Sequence, residues 1–288
     1  IEEKITHRTK AILVVDIFGQ SADMDPILSI AKKFNLKVIS DCAQSPGAEY
    51  KGRLAGTLAD VGGFSFNYHK HIHTGEGGMI VTNDALIAEK CQLIRNHAEA
   101  SVVDILNPDL TNMIGYNFRL GEIESTIGRK QLTKLASAIS SRQRAAAILT
   151  ENLQGIKGLT TPVTRDDCTH VFYFYGMKHN PELTGVSRDV IYDALIAEGV
   201  PLIAKRYQNL HMLPMFLEKQ CYGTKNFPWS LNDSVDYSYG AGVCEVAERL
   251  NNSEYIGMFM CGSNFDDSEI NLVGKAFRKV YENIDELR

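Results

Sequence analysis

The sequence predicts an α/β fold: a mostly parallel sheet in the first part of the chain, then a smaller α+β domain. Three observations carry this. Over residues 1–95, short apolar runs rich in β-branched residues alternate with helix-period segments, the pattern of strands joined by helical crossovers. A long stretch with few breakers follows from about Glu122 to Leu153. Beyond it the composition shifts to an aromatic strand pattern and a terminal amphipathic helix. We place the boundary so that 1–135 is the C-terminal portion of a large domain and 136–288 is the small domain.

The elements follow in order. Residues 11–18 (AILVVDIF) are too few for a typical helix and read as a strand that Gly19 ends. Asp23 is placed to cap a helix through Phe34, with Ile27, Leu28, Ile30 and Ala31 inward. Residues 37–41 (KVISD), 61–66 (VGGFSF) and 79–82 (MIVT) predict three more strands, and Asn83 or Asp84 caps a helix through Arg95. The stretch 122–153 predicts one long helix, suited to linking two domains or packing across a dimer. In the second half, 170–177 (HVFYFYGM) predicts an aromatic strand, 187–198 a helix and 256–260 a strand. Residues 266–284 predict a closing helix, with Asp266 and Glu269 as a capping box.

Composition narrows the function classes. The 288 residues are 44% hydrophobic and carry a net charge of −5, with Lys and Arg dispersed, which argues against a nucleic-acid or membrane surface. No apolar run approaches the roughly 20 residues of a membrane span. The six cysteines (Cys42, Cys91, Cys168, Cys221, Cys244, Cys261) form no CxxC pair and read as reduced thiols of a cytoplasmic protein. The chain opens on Ile1 and runs almost at once into a buried-strand pattern, so we expect the later part of a longer polypeptide.

In open α/β sheets ligands gather at the carboxyl ends of strands, which draws attention to Asp41 and Ser65. An ionised carboxylate ending a buried strand needs a cationic partner. Gln44 follows three residues after Asp41, Lys70 five after Ser65, and the run Thr74-Gly75-Glu76-Gly77-Gly78 allows a tight backbone path beside them. Carboxylate, amide, hydroxyl and amine together suit a charged aromatic aldehyde such as pyridoxal phosphate (PLP). Each residue alone also has an ordinary reading: a turn aspartate, a backbone-bonded serine or glutamine, a solvated lysine. His69, His71 and His73 alternate, so an extended backbone would put them on one face, for packing or for an anionic substrate. No Cys or carboxylate spacing completes a zinc site with them, and no metal is expected. Arg119 suits a substrate anion or an ion pair with Glu122 or Glu124. Trp229 suits either the site or packing.

The block 64–84 (FSFNYHKHIHTGEGGMIVTND) resembles the signature of the DegT/DnrJ/EryC1/StrS family of sugar aminotransferases, and 10–27, 38–66 and 115–132 (GYNFRLGEIESTIGRKQL) resemble further family segments in the expected order. The resemblance covers nearly the whole chain. It implies the PLP-dependent transferase fold type I, aspartate-aminotransferase-like, with residues 1–135 in the PLP-binding domain. It also implies PLP as cofactor, and as partners a keto or aldehyde sugar and an amino-acid donor, with glutamate expected. Carried over by position, Lys70 is the catalytic lysine that bonds the cofactor aldehyde. Asp41 is the pyridine-nitrogen carboxylate, Gln44 the ring-edge contact and Ser65 a phosphate ligand. Asn117 reaches the phosphate of a neighbouring subunit, which implies a homodimer with shared active sites.

Two departures stand out. The family's DAAQ reads Asp41-Cys42-Ala43-Gln44, and the family's N-terminal portion, with a phosphate-cradling Gly-Thr segment, has no counterpart in these residues. A non-catalytic paralogue on this fold is the competing expectation, opposed by the retained Lys70, Asp41 and Gln44. A dehydratase branch carries His in place of the lysine, so Lys70 favours amino transfer. NYHKHIHTGEGG with RNHAE (95–99) resembles the branch that aminates C8 of 3-deoxy-octulosonate.

Overall fold

Strand β1 (Ala11–Val15) runs parallel to β2 (Lys37–Asp41), and β2 runs parallel to β5 (Val61–Ser65). The computed structural model describes residues 1–99, 113–232 and 238–288. Strand β6 (Gly78–Val81) closes the order β1-β2-β5-β6 and is antiparallel to β5, because residues 66–77 double back as a turn instead of crossing over as a helix. A short hairpin, β3 (Glu49–Tyr50) with β4 (Arg53–Leu54), lies between β2 and β5 in sequence.

The period-2 pattern of these strands sorts their side chains. Ile12, Val14 and Val38 face the first helix, α1 (Met24–Lys33), whose Met24, Ile27 and Ala31 complete a core with Tyr50 and Leu58. On the opposite face Leu13, Val15 and Ile39 stay exposed. Asp23 occupies the N-cap position, yet its carboxylate accepts from the Tyr50 hydroxyl at 2.9 Å and makes no cap bond.

Three sequence expectations need correction. The strand predicted over 11–18 ends at Val15, because Ile17–Gly19 form a tight turn with Phe18 at φ 60°. Segment 170–173, predicted as strand, runs along that turn: Val171 N donates to Gly19 O and Tyr173 N to Phe18 O, both at 2.8 Å. Gly19, at φ 109°, is required there, since a Cβ would sit 2.9 Å from Phe172 N. The single helix expected over 122–153 is two, α3 (Glu122–Leu132) and α4 (Leu135–Leu153). Lys134 N bonds Gln131 O, three residues back, and the Thr133 hydroxyl bonds Lys130 O, so the ladder tightens and breaks without Gly or Pro. Between them in the sequence and β6 lies α2 (Ala85–Arg95), capped by Asp84, whose carboxylate accepts from Leu86 N and Ile87 N.

By packing the chain divides into two units. The first comprises 1–147, 163–174 and 260–265, and the second 148–162, 175–259 and 266–288. A second sheet has the order β7-β8-β10-β9, formed by β7 (Leu159–Thr160), β8 (Phe174–His179), β9 (Ile203–Ala204) and β10 (Tyr255–Phe259). Short helices α5 (Pro181–Thr184), α7 (Pro214–Leu217) and α8 (Glu245–Arg249) punctuate the second unit. Its long helices are α6 (Arg188–Ala197), capped by Ser187, and α9 (Asp267–Glu282), which bears the expected capping box of Asp266 and Glu269. Ile191 and Leu195 of α6 and Ile270 and Phe277 of α9 are fully buried. Among the described residues no helix is long and apolar enough to cross a membrane.

Candidate functional site

The parallel pairing of β2 and β5 sets Asp41 directly beside Gly63, at the carboxyl ends of both strands. One Asp41 oxygen accepts from Ala43 N at 3.0 Å, and Cys42 N donates to Gly63 O at 2.8 Å, which turns the chain sharply away from the strand end. A cleft of about 260 Å³ opens there, lined by Ile39, Asp41, Gly63, Phe64, Ser65 and Ile80 among others. Its walls are almost wholly apolar.

Under this strand end lies Asp16, 1% exposed. Its carboxylate accepts from Ala22 N at 2.7 Å, and from the Ser40 hydroxyl and Cys42 thiol at 3.2 Å each. These bonds tie the end of β1 to the end of β2. Gln44 is also buried, and its Oε1 accepts from Phe18 N at 2.7 Å, which holds the positive-φ turn in place.

Lys70 follows β5 in a turn that Lys70 N closes onto Asn67 O at 2.9 Å. The glycine-rich return is held by Phe66 N to Gly77 O, Thr74 N to Phe66 O and the Thr74 hydroxyl to Glu76 O. The Lys70 ammonium lies 4.6 Å from the centroid of the buried Tyr173 ring, a cation–π contact. Burial pushes its pKa below the ordinary lysine value, against the pull of the Asp41 carboxylate that favours the charged form. The amine therefore keeps a larger neutral fraction near neutral pH than a solvated lysine does.

The histidine expectation needs correction, because 68–72 is a turn and not an extended segment. His69 lies edge-on to Tyr68, while His71 is buried with Nε2 2.9 Å from Val171 O. A carbonyl only accepts, so Nε2 carries the His71 proton and Nδ1 is bare. Burial drives the His71 pKa down to about 3 from 6.5, and that of His170 to about 4. Below pH 6.5 the unfolded chain takes up a proton that folded His71 refuses, so its contribution to stability is lost as pH falls. Denaturant midpoints should drop between pH 6.5 and 4, and His71→Asn should flatten that slope by up to about 1.4 kcal/mol per pH unit. Parallel pH curves for the two proteins would refute this.

Asn117 is exposed and lines neither this cleft nor the larger one beside Lys70; its backbone bridges to Asn96, and Arg119 donates to Asn96 Oδ1 at 2.7 Å. Trp229 belongs to the second unit, where its Nε1 donates to the Tyr239 hydroxyl and its ring packs edge-on to Phe216. Sequence reasoning missed Asp16 and Arg142. Asp16 had a signal, a carboxylate directly after an apolar strand; Arg142 and Tyr173 reach the site from distant segments. Among the described residues no three His, Cys, Asp or Glu side chains converge on one point.

The mixed sheet, with Asp41 and Ser65 at its strand ends and Lys70 just beyond, has the fold of the fold type I aminotransferases. Solved structures agree in fold: the chain matches DesV of S. venezuelae with a TM-score of 0.80 at 26% identity, covering 98% of this chain and 67% of that one. The aminotransferase from Psychrobacter cryohalolentis matches with a TM-score of 0.80 at 27% identity, covering 98% and 71%. Residues 1–235 match the DegT/DnrJ/EryC1/StrS aminotransferase family, and the chain belongs to it. GDP-perosamine synthase of Caulobacter vibrioides is 36% identical over 219 residues, 75% of this chain and 57% of that protein. The dTDP-3-amino-3,6-dideoxy-alpha-D-galactopyranose transaminase of Aneurinibacillus thermoaerophilus is 42% identical over 176 residues, 61% and 47% of the two chains. The chain thus spans about half the length of these curated relatives.

The family is PLP-dependent, and the residues present fit that group. An amine for the aldehyde, a carboxylate to accept from the ring nitrogen and a hydroxyl to donate to the phosphate are the groups a phosphorylated pyridine aldehyde needs. Gly63 leaves room along the cleft, since an added Cβ would meet nothing nearer than Ser40 O at 4.0 Å.

Proposed function

We propose that the protein is a PLP-dependent aminotransferase that moves an amino group from glutamate to a keto or aldehyde sugar, with Lys70 as its catalytic residue. The observation that supports this most is the partly dehydrated Lys70 amine, whose charge is opposed by burial and favoured by Asp41. When bound, PLP supplies an electron sink for the carbanion formed at the donor α-carbon. Lys70 does two things: it anchors the aldehyde, and once released its neutral amine takes the donor α-proton and later returns one, as a general base and acid. Burial of that amine keeps the neutral form available.

Asp41 would pair with the ring nitrogen and favour its protonated form. Gln44 would contact the ring edge, and Ser65 would donate its hydroxyl to the phosphate. Asn117, exposed on this chain, serves the phosphate of a neighbouring subunit in a homodimer. Residues 1–135 supply the later part of the PLP-binding domain and 136–288 the small domain. The protein acts in the cytoplasm, where its six unpaired cysteines stay reduced. The sugar is a nucleotide-linked keto-deoxysugar, as the names of the relatives suggest, or 8-oxo-3,8-dideoxy-octulosonate, as the 67–78 and 95–99 stretches suggest.

The test is to add PLP to the intact protein and record the visible spectrum. A protein-bound band that glutamate bleaches and a keto sugar restores is expected. No bound band would overturn the proposal.

A further inference from the structure

We propose that the larger cleft beside Lys70 holds a substrate carboxylate, that of the amino donor, and that Arg142 is its anchor. This rests on the transaminase reading above. The cleft encloses about 630 Å³ and is lined by Lys70, Lys134 and Arg142, with hydroxyls from Ser137, Ser141 and Ser263. Among the described residues no Asp or Glu lines it.

Arg142 is 8% exposed. Its Nε donates to Met260 O at 3.3 Å, while its Nη1 is buried and has no hydrogen-bond partner. Buried donors are nearly always satisfied, and a guanidinium left without an acceptor is costly. Among the described residues no anionic side chain in the cleft answers the charge. Cys261 is held protonated, its pKa pushed up to about 11 by burial, and His71 is neutral. An incoming anion would satisfy Nη1 and offset the positive lining.

The shared cleft argues for the donor as the source of that anion. An amino acid carries its α-carboxylate one carbon from the nitrogen that must meet Lys70. The diphosphate of a nucleotide sugar lies several atoms from its reacting carbonyl. A guanidinium is also the side chain best matched to a carboxylate.

The competing role for Arg142 is structural, as a brace for the 260–264 turn through Met260 O. The experiment is calorimetric titration of the intact, PLP-loaded protein with glutarate, an unreactive dicarboxylate. Neutral glutaramide and 3-deoxy-octulosonate are run in parallel, each on wild type, Arg142→Gln and Arg142→Lys. Arg142→Gln is expected to weaken glutarate about 10- to 100-fold, the usual effect of losing a charge-assisted pair. Arg142→Lys should lie between, with glutaramide affinity and the visible band unmoved. Unchanged glutarate affinity overturns the proposal, as does equal loss of glutarate and glutaramide, the mark of a brace. Loss confined to 3-deoxy-octulosonate overturns it too, by assigning the anion to a sugar acid. If Arg142→Gln does not fold, Arg142→Lys decides: severalfold weaker glutarate with glutaramide unmoved supports the site, and no change overturns it. A wild type with no bound band means the transaminase reading has failed; a normal band with unaltered glutarate binding means only this inference has.

Discussion

Lys70→Ala should abolish the bound PLP band and lower turnover by roughly 10⁴-fold or more, since one residue anchors the aldehyde and carries the proton. Stability should change little. The Lys70 side chain is partly exposed, and its described contact is the face of Tyr173, worth about 1 kcal/mol at such a site. Activity and folding are thereby separable at this position. Lys70→Arg should fail as completely, because a guanidinium keeps its proton and cannot serve as a neutral amine. The measurement is single-turnover amino transfer from glutamate alongside the spectrum. A Lys70→Ala protein that still forms the band and turns over would place the chemistry on another residue.

Arg188→Ala should cost about 4 kcal/mol of stability. Arg188 opens α6 and is 1% exposed. Its guanidinium donates to four carbonyls on two segments: Lys205 on one, and Asn251 at 3.2 Å, Asn252 at 2.9 Å and Tyr255 at 3.0 Å on the other. Its Nε meets the Asp189 carboxylate at 2.6 Å, which holds the Asp189 pKa below the usual range. Deleting the side chain strands those carbonyls, at about 1 kcal/mol or more each. Arg188→Lys should recover part of the loss, because an ammonium cannot span the same fork. Trp229 is the only tryptophan and lies in the same unit, so its fluorescence reports this unfolding directly. A loss below about 1 kcal/mol would show that water replaces the guanidinium at those carbonyls.

The elements legible in the sequence were those specified by neighbours along the chain. Short apolar runs rich in β-branched residues marked β1, β2, β5 and β6, and local cap chemistry marked α2 through Asp84 and α9 through Asp266 with Glu269. Asp41, Ser65 and Lys70 could be singled out because strand ends are a general place for ligands. What stayed hidden depends on distant segments. Tyr173 reaches Lys70 only because 170–173 is stitched to Phe18 and Gly19. Arg142 is a helix residue by pattern, and its bond to Met260 O joins positions 118 apart in the sequence. The break at Thr133-Lys134 uses residues that helices tolerate, so no composition signal announces it. The histidine stripe misled because alternation says nothing unless the backbone is extended.

The cysteine next to Asp41 has a chemical consequence of its own. A thiol at such a strand end invites attack on aldehydes and oxidation wherever it can ionise. Burial raises the Cys42 pKa to about 12, the Ser40 hydroxyl pulls the other way, and the charge of Asp16 raises it further. The residue is 0% exposed. Cys42 is in effect a small apolar side chain with a silenced sulfur. Iodoacetamide should therefore pass it over in the native protein and modify exposed Cys244 first.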